Sequence, residues 1–312
     1  MQYALKRILL GIPTLLAMFT AIFVIIRVVP GDAAAVILGD QANAASLEAL
    51  RTELGLDQPL SQQYFGFLRD LLQGNLGISL VTKRPVLDEA LRVLPNTLEL
   101  AAASILAGLF IGMPLGIYAA IRRNAWPDYV GRLFSLVGLS LPAFVSGILL
   151  LLAFAIQLRW FPVIGTSQSA GLHDRLIGVA LPALNLGLIM SAYVARVTRT
   201  SMLTTLGEDY VRPARAKGVG AVNLILRHVL ANSLLPIITV VGLYFGTLIG
   251  NSVLTEIVFN RPGLGRLILG ALNTRDYTLL QGLMIIFASF VVLANIMTDL
   301  AYAAVDPRIR TR

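Results

Sequence analysis

The chain has 312 residues, of which 56% are hydrophobic and 13% are charged, and its formal net charge is +8. Soluble domains hold about 25% charged residues, so this composition excludes an ordinary soluble protein. The absence of cysteine excludes disulfides and thiolate-bound zinc.

Apolar segments of membrane-spanning length recur along the chain. A bilayer core of about 30 Å requires roughly 20 apolar residues in a helix. The first segment follows Lys6 and Arg7 and is longer than the apolar core of a signal peptide, so we interpret it as a retained span. Six spans are predicted, at residues 8–29, 98–121, 133–157, 176–195, 234–256 and 279–303. The predicted fold class is an all-α, polytopic membrane protein.

The segment between the first two spans, residues 30–97, is too polar to cross a membrane. Three short helices are predicted in it: Ser46 to Leu54, one that Pro59 opens and Gly74 closes, and Pro85 to Leu94. Asn96 and Glu99 are then expected to cap the second span. Two roles are open for this external segment, a packing lid over the outer mouth and a docking surface for an external partner.

The distribution of basic residues predicts the orientation. With the N-terminus inside, the inner loops and tails carry a large excess of Lys and Arg, whereas the outer segments are nearly balanced in charge. The basic excess is therefore a topology signal and not a nucleic-acid-binding surface. The predicted parts are an N-terminal helix (1–29), the external segment (30–97), a five-helix core (98–303) containing a cytosolic loop (196–233), and a cytosolic tail (304–312).

Two glycine stripes lie inside predicted spans. They are Gly108-x-x-x-Gly112-x-x-x-Gly116 and Gly242-x-x-x-Gly246-x-x-x-Gly250. Glycines at this spacing form a smooth helix face that lets a neighbouring helix approach closely. Close packing is the favoured interpretation, and the alternative is that the stripes line a narrow passage.

The sequence lacks the residue patterns of the main enzyme classes. None of its three lysines is followed by Ser or Thr, which excludes a P-loop for ATP. His173 and His228 fall in different predicted compartments, so we expect no catalytic residue and no metal site. An intramembrane hydrolase and an ion-coupled secondary carrier are the rival hypotheses. The carrier is disfavoured because Arg27, Glu256 and Asp299 lie near the ends of spans and not at the midplane.

The cytosolic loop contains the most polar stretch between two spans. A helix is predicted from Leu206 to Ala216, with acidic residues at its start, where they suit the helix dipole. Gly218 and Gly220 are expected to form a sharp turn after it. The residues predicted to contact a cytosolic partner are Glu208, Asp209, Tyr210, Arg212, Ala214, Arg215, Ala216, Lys217 and Gly218. The alternative is an ordinary basic loop that only obeys the positive-inside rule.

Several motifs occur in a fixed order along nearly the whole chain. They are Val29-Pro30-Gly31-Asp32; Leu54-Gly55-Leu56-Asp57-Gln58-Pro59-Leu60; Arg84-Pro85-Val86 with Leu94-Pro95-Asn96-Thr97-Leu98; the loop Glu208 to Gly218 with Arg227-His228; Val258 to Arg266; and Arg275-Asp276-Tyr277. With these motifs the chain resembles the permeases of ABC importers, specifically the dipeptide, oligopeptide and nickel family in its glutathione and dipeptide subgroup. The loop matches this family's form of the "EAA" loop. Arg212 stands where the general loop has Glu, and Pro213 departs from the more frequent Thr.

The resemblance implies a bacterial inner-membrane importer of the type I kind. It implies two related permeases, two ATPases that bind ATP and Mg²⁺, and an external solute-binding protein, with no cofactor bound by this chain. Residues 207–220 would enter a cleft of an ATPase, and both termini would be cytosolic. The implied substrates are dipeptides, oligopeptides, glutathione or nickel chelates.

Five polar residues inside the spans are candidates for the substrate pathway. They are Asn185, Tyr193, Tyr244, Asn251 and Ser252. Polar side chains in spans also form hydrogen bonds between helices, and this alternative is equally open for each of them.

Overall fold

The computed structural model describes residues 2–28, 43–53, 55, 57–163 and 171–305, with the side chains of 2–5, 50, 53, 172, 215 and 301–305 excepted. Within these ranges the chain is helical, apart from turns and one antiparallel bridge between Ile78 and Pro85. The predicted all-α class is confirmed. The motif at residues 29–32, Leu54 and Leu56 of the next motif, and residues 306–312 of the predicted tail lie outside the described residues.

Eleven labelled helices make up the described structure. They are α1 (Gln2–Val28), α2 (Ala44–Glu53), α3 (Leu60–Leu72), α4 (Val86–Ile121), α5 (Trp126–Ser140), α6 (Ala143–Leu150), α7 (Leu172–Leu206), α8 (Val211–Ala216), α9 (Ala231–Val258), α10 (Leu264–Asn273) and α11 (Tyr277–Val305). A π-helical turn, Leu151–Gln157, extends α6, and a helical stretch Ala221–Asn223 and a π-helical turn Leu224–Leu230 lead into α9. Among the described residues, five helices are long and apolar enough to span a membrane, or six if one bent pair counts as a span.

That bent pair replaces the predicted straight span at residues 133–157. Helices α5 and α6 meet at an angle of 107°. Leu141, which precedes Pro142, has φ −86° and ψ 126° and is therefore extended. The proline ring disfavours a helical conformation in the preceding residue, and proline has no N–H to donate. One proline thus divides the apolar segment into two helices.

The prediction that Pro85 opens a helix is confirmed, since α4 begins at Val86, but the predicted end at Leu94 and the cap for the next span are wrong. Helix α4 runs without interruption from Val86 to Ile121, through Pro95. Asn96 does not cap a helix, because its Nδ2 donates a 2.8 Å hydrogen bond to the carbonyl of Pro262. Glu99 instead accepts a 2.8 Å hydrogen bond from Arg261. Both side chains serve contacts between elements distant in sequence.

Contact clustering divides the chain into two compact units. The first comprises Met1–Ile8, Asn96–Pro262 and Leu293–Arg312. Its core surrounds α7, where Leu186, Met190 and Val194 are completely buried. Gly112 of α4 packs directly on this helix, since a Cβ atom there would lie 2.6 Å from the carbonyl oxygen of Ser191. The first glycine stripe is therefore a packing surface.

The second glycine stripe behaves differently along its length. Gly242 and Gly246 face side chains of α11, and a Cβ atom at Gly246 would lie 3.1 Å from Oδ1 of Asn295. Gly250 is exposed and has no atom within 4 Å of its Cβ position. The stripe thus packs within the unit at two of its three glycines only.

The second unit comprises Leu9–Pro95 and Gly263–Val292. Helix α3 begins after Pro59 and precedes Gly74, whose φ is +74°, in agreement with the sequence prediction. Its Tyr64 and Phe67 rings lie 5.2 and 5.5 Å from the ring of Phe23 on α1. The apolar face of α3 therefore packs on the first membrane helix within this unit.

Candidate coupling loop and polar contacts of the helices

The loop after α7 starts later than the sequence predicts. Helix α7 continues to Leu206, well beyond the predicted span end at residue 195, and Gly207 begins a turn. The predicted single helix from Leu206 to Ala216 is therefore wrong, since only Val211–Ala216 forms α8. The low helix propensity of glycine favours a helix end at Gly207, whereas packing on α7 overrides the same preference at Gly112 of α4. Pro213 lies in the first turn of α8, where its missing N–H has little cost.

One side chain anchors α8 to the membrane helices. Val211 is 2% exposed and packs in a cluster with Met202 of α7 and Leu224. Ala120, near the end of α4, belongs to the same cluster. Burying a valine side chain contributes about 1.5–3 kcal/mol. This cluster ties α8 to the ends of two long helices.

Hydrogen bonds make a second anchor in the turn before α8. Asn232 donates from Nδ2 to the hydroxyl oxygen of Tyr210 at 2.9 Å and to the carbonyl oxygen of His228 at 2.7 Å. The Tyr210 hydroxyl in turn donates to the His228 carbonyl at 3.3 Å. This triangle connects the loop to the first turn of α9.

The opposite face of the loop is polar and open to solvent. Its exposed residues are Glu208, Asp209, Tyr210, Arg212, Pro213, Ala216, Lys217 and Gly218. Ala214 is half-buried, and the side chain of Arg215 lies outside the described part of the chain. The face presents charges of both signs on a backbone that is fixed from behind. Such a surface suits a cleft that carries complementary charges.

Gly218 makes the turn that the sequence predicts. Its φ is +79°, a conformation that favours glycine because it has no Cβ. Gly220 differs, because its φ of −59° is accessible to any residue. The sharp reversal after α8 therefore depends on Gly218 and not on Gly220.

The candidate pathway residues fall into different environments. Asn185 is completely buried, where it accepts a 2.7 Å hydrogen bond from Ser146 and donates at 2.9 Å to the carbonyl of Ala143. It thus connects α7 to the start of α6. Ser252 is also buried, and its hydroxyl donates at 2.7 Å to the carbonyl of Ile249 in its own helix.

The remaining pathway candidates include an aromatic pair. The rings of Tyr193 and Tyr244 are 5.2 Å apart. Tyr193 is 38% exposed, whereas Tyr244 is 6% exposed. Asn251 is half-buried and lies about two turns beyond Tyr244 on α9. These three residues can share one surface of the helix pair, while Asn185 and Ser252 are occupied within the protein.

The sequence reasoning missed a buried ionic cluster. Asp128 is completely buried and accepts hydrogen bonds from Arg199 and from Arg132, the latter at 2.7 Å. The backbone N–H of Asn124 also donates to it at 3.0 Å. The four-residue spacing of Asp128 and Arg132 was a usable signal. Nothing in the sequence indicated Arg199.

Among the side chains described, no group of three or more residues is suited to hold a metal ion.

A second polar cluster involves the motif that follows α9. Glu256 is completely buried and accepts a 2.6 Å hydrogen bond from Thr97. Arg261 is 5% exposed and binds Glu99, whose carboxylate also lies 3.5 Å from Arg175. The motif Val258 to Arg266 therefore helps to hold α4 and α9 together.

Two family models match this chain. The model described as "Binding-protein-dependent transport system inner membrane component" matches residues 112–311. The N-terminal model of the same kind of membrane component matches residues 1–101. Together the two models account for nearly the whole sequence. They support the predicted multi-pass inner-membrane location.

Curated relatives match end to end. The chain is 43% identical over 311 residues to the glutathione transport system permease protein GsiC of Pectobacterium atrosepticum, covering 99% of both chains. The proteins of the same name from Salmonella typhimurium and Escherichia coli are 42% and 41% identical over the same share of each chain.

Solved structures show the same fold. An inward-facing structure of the MetNI methionine ABC transporter matches with a TM-score of 0.57 and 18% identity, covering 69% of this chain and 95% of that chain. An amino acid ABC transporter matches with a TM-score of 0.51 and 16% identity, covering 69% of this chain and 92% of that chain. The architecture is therefore that of type I ABC importers, and neither the hydrolase nor the secondary-carrier hypothesis is supported. The chain belongs to the binding-protein-dependent transport system inner membrane component family and is a non-catalytic permease subunit of an ABC importer.

Proposed function

We propose that this permease imports short peptides and that glutathione is the first substrate to test. The observation that carries this proposal is the 43% identity, over 99% of both chains, to a glutathione transport system permease. Dipeptides, oligopeptides and nickel chelates are the other substrates to compare with it. A separate solute-binding protein would deliver the substrate on the outer side.

We further propose that residues 207–220 couple this chain to an ATPase. The support is mechanical, because the loop is anchored on one face by Val211 and presents charged side chains on the other. To transmit a movement, the loop must be fixed to the membrane helices and accessible to the ATPase. Two ATPases, which bind ATP and Mg²⁺, would drive this chain and a second, homologous permease.

The proposed orientation places both termini and the coupling loop in the cytosol. The inner segments then carry most of the excess of Lys and Arg over acidic residues. Only this orientation lets a cytosolic ATPase reach Glu208 to Gly218. The external segment 30–97 would face the binding protein.

The substrate pathway is proposed to lie between the two permeases. Tyr193, Tyr244 and Asn251 are the better supported of the candidate residues, because Tyr193 is exposed and the other two lie on a neighbouring helix. For Asn185 and Ser252 the hydrogen bonds within this chain favour a structural role. Substitution of Tyr193 by Ala is then expected to change the uptake of substrate more than substitution of Ser252 does.

Charge reversal on the loop tests the coupling proposal. Lys217→Glu inverts the charge of an exposed side chain on the loop and removes no buried contact. We expect less ATPase to co-purify with the assembled importer and uptake of radiolabelled glutathione to fall several-fold. Arg123→Glu is the matched control, since Arg123 is also exposed but lies in the turn between α4 and α5. Equal effects of the two variants would contradict a specific docking role.

Uptake assays in cells test the substrate separately from the coupling. The intact importer is compared with radiolabelled glutathione, a dipeptide and a nickel chelate at equal concentration. Faster uptake of glutathione supports the proposal. Uptake of the dipeptide, with no uptake of glutathione, would assign another peptide as the substrate and would leave the coupling role untouched.

A further inference from the structure

A groove lies where α4, α5 and α7 meet in the first unit. It encloses about 250 Å³. Leu115, Leu136 and Leu139 form its apolar walls, and the rest of its floor is mostly small side chains. Leu136 is 65% exposed, so the groove opens toward the surroundings of the protein. Its shape is that of a slot between helices and not of a closed cavity.

Three arginines line the same groove: Arg132, Arg196 and Arg199. Two of them, Arg132 and Arg199, share the buried carboxylate of Asp128. Arg196 is exposed. The three arginines of the groove carry three positive charges against the one negative charge of Asp128, so the groove retains an excess of positive charge at one end beside an apolar slot.

Aromatic residues next to the arginines suggest where this end lies in the bilayer. Trp126 and Tyr129, in the first turn of α5, are 72% and 59% exposed. The guanidinium carbon of Arg132 lies 5.5 Å from the centre of the Tyr129 ring. Exposed Trp and Tyr at the ends of apolar helices are enriched at the level of lipid headgroups. The charged end of the groove is thus expected at the membrane interface.

We propose that this groove binds an acidic phospholipid. The phosphate is held by Arg196 and by the exposed side of Arg132, and one acyl chain lies along Leu115, Leu136 and Leu139. Guanidinium groups bind phosphate oxygens through charge-assisted hydrogen bonds, and basic pockets between membrane helices recognise acidic headgroups. The headgroup of a zwitterionic lipid carries a positive charge that the arginines would repel, so such a lipid would bind more weakly. The site would hold α5 against α7 next to the bend at Pro142.

Native mass spectrometry of the purified full-length chain tests the site. The protein is released from detergent micelles doped with phosphatidylglycerol or with phosphatidylcholine of the same acyl chains. We expect phosphatidylglycerol to be retained several-fold more than phosphatidylcholine. Arg196→Gln and Leu136→Trp are each expected to lower this retention several-fold, by removing a phosphate ligand and by filling the slot.

Two matched variants control for general effects. Arg123→Gln removes the same charge from an exposed arginine that does not line the groove, and Leu133→Trp adds the same bulk at a position on α5 that is 61% exposed. Both should retain the lipid like the parent chain. Equal retention of the two lipids, or equal losses in test and control variants, would overturn the proposal.

Further arms separate other occupants. Loss of bound phosphatidylglycerol on addition of inorganic phosphate alone, with no effect of Leu136→Trp, would show an anion site without a lipid and would overturn the proposal. A second copy of the chain could also occupy the groove in place of lipid. A dimer that Leu136→Trp disrupts would show this and would also overturn the proposal. The outcome is independent of substrate and ATPase, because the assay contains neither.

Discussion

Asn232, at the start of α9, donates a 2.9 Å hydrogen bond from Nδ2 to the hydroxyl oxygen of Tyr210, in the turn before α8. The two residues are distant in sequence, and both are exposed. Their contact joins the loop that is proposed to meet an ATPase to a helix that spans the membrane. A displacement of the loop is therefore expected to act on α9 through this bond, and on the ends of α4 and α7 through the buried Val211.

Tyr210→Phe tests that connection. The substitution removes the hydroxyl that bonds Asn232 and the His228 carbonyl, at a cost of about 1 kcal/mol. We expect the ATPase to co-purify normally while the substrate imported per ATP hydrolysed decreases. Tyr118→Phe is the control, since Tyr118 is an exposed tyrosine of α4. Loss of ATPase binding in Tyr210→Phe would instead indicate a direct role in docking.

The turn at Gly218 should tolerate few substitutions. Gly218→Val forces a β-branched residue into a positive φ and is expected to reduce coupled transport strongly. Gly220→Val should be nearly neutral, because φ there is −59° and no atom lies within 4 Å of its Cβ position. Gly218→Asn should retain much more activity than Gly218→Val, since Asn accepts a positive φ. Similar uptake in the two valine variants would contradict the role of the turn.

Two glycines of the membrane helices should respond oppositely to alanine. Gly112→Ala places a Cβ 2.6 Å from the Ser191 carbonyl oxygen and is expected to cost about 1–3 kcal/mol through overpacking. Gly250→Ala meets no atom within 4 Å and should gain up to about 1 kcal/mol in helix propensity. Melting temperatures of the two purified variants in detergent check the prediction. A lower value for Gly250→Ala would mean that this position is packed by another part of the protein.

The hydrogen bond between Thr97 and Glu256 should contribute measurably to stability. Thr97→Val removes the 2.6 Å hydrogen bond that the buried carboxyl group of Glu256 accepts from Thr97, at a cost of about 1–3 kcal/mol. Thr97→Ser keeps the hydroxyl and should lose less. Thermal unfolding of the two variants in detergent gives the comparison. Equal melting temperatures would show that other partners of Glu256 replace Thr97.

Cysteine labelling tests the proposed orientation without background, because the chain contains no cysteine. Ser61→Cys and Lys217→Cys each add one thiol at an exposed position, the first on α3 and the second after α8. In intact cells a membrane-impermeant maleimide is expected to label position 61 only. After the membrane is opened, both should react. Labelling of position 217 in intact cells would show that the loop faces the outside, which contradicts both the proposed topology and the coupling proposal.

Membrane helices could be located from sequence more reliably than their ends. The predicted second span at 98–121 lies within α4, but α4 starts at Val86, because Pro95 does not interrupt it. The predicted fourth span stops at residue 195, whereas α7 reaches Leu206. Hydropathy detects where lipid-compatible residues occur. It does not detect that a helix continues into polar surroundings while neighbouring side chains, such as Val211 beside Met202, cover its end.

The loop that is proposed to meet an ATPase was identified in the sequence from its polarity, but the sequence did not show which of its faces is exposed. Sequence reasoning treated Tyr210 and Ala214 like Arg212 and Lys217, as partner contacts. In the structure Tyr210 bonds back to the helices and Ala214 is half-buried. The roles of these residues toward an ATPase are still predictions. A six-residue helix has two faces. Which of them is exposed depends on tertiary packing, and the local composition does not predict this packing.

Composition was sufficient to predict a helical, multi-pass membrane protein, because the free energy of placing a residue in lipid depends on that residue's own chemistry. The permease family was predicted from the resemblance of the ordered motifs. The bend at Pro142 had a local signal, but whether the chain turned there or continued through the proline, as it does at Pro95, was decided by contacts. The partners of Asp128 were decided in the same way: Arg132 is near in sequence, and Arg199 arrives only when α7 packs on α5. Such choices belong to tertiary structure, since they compare the energies of distant segments brought together.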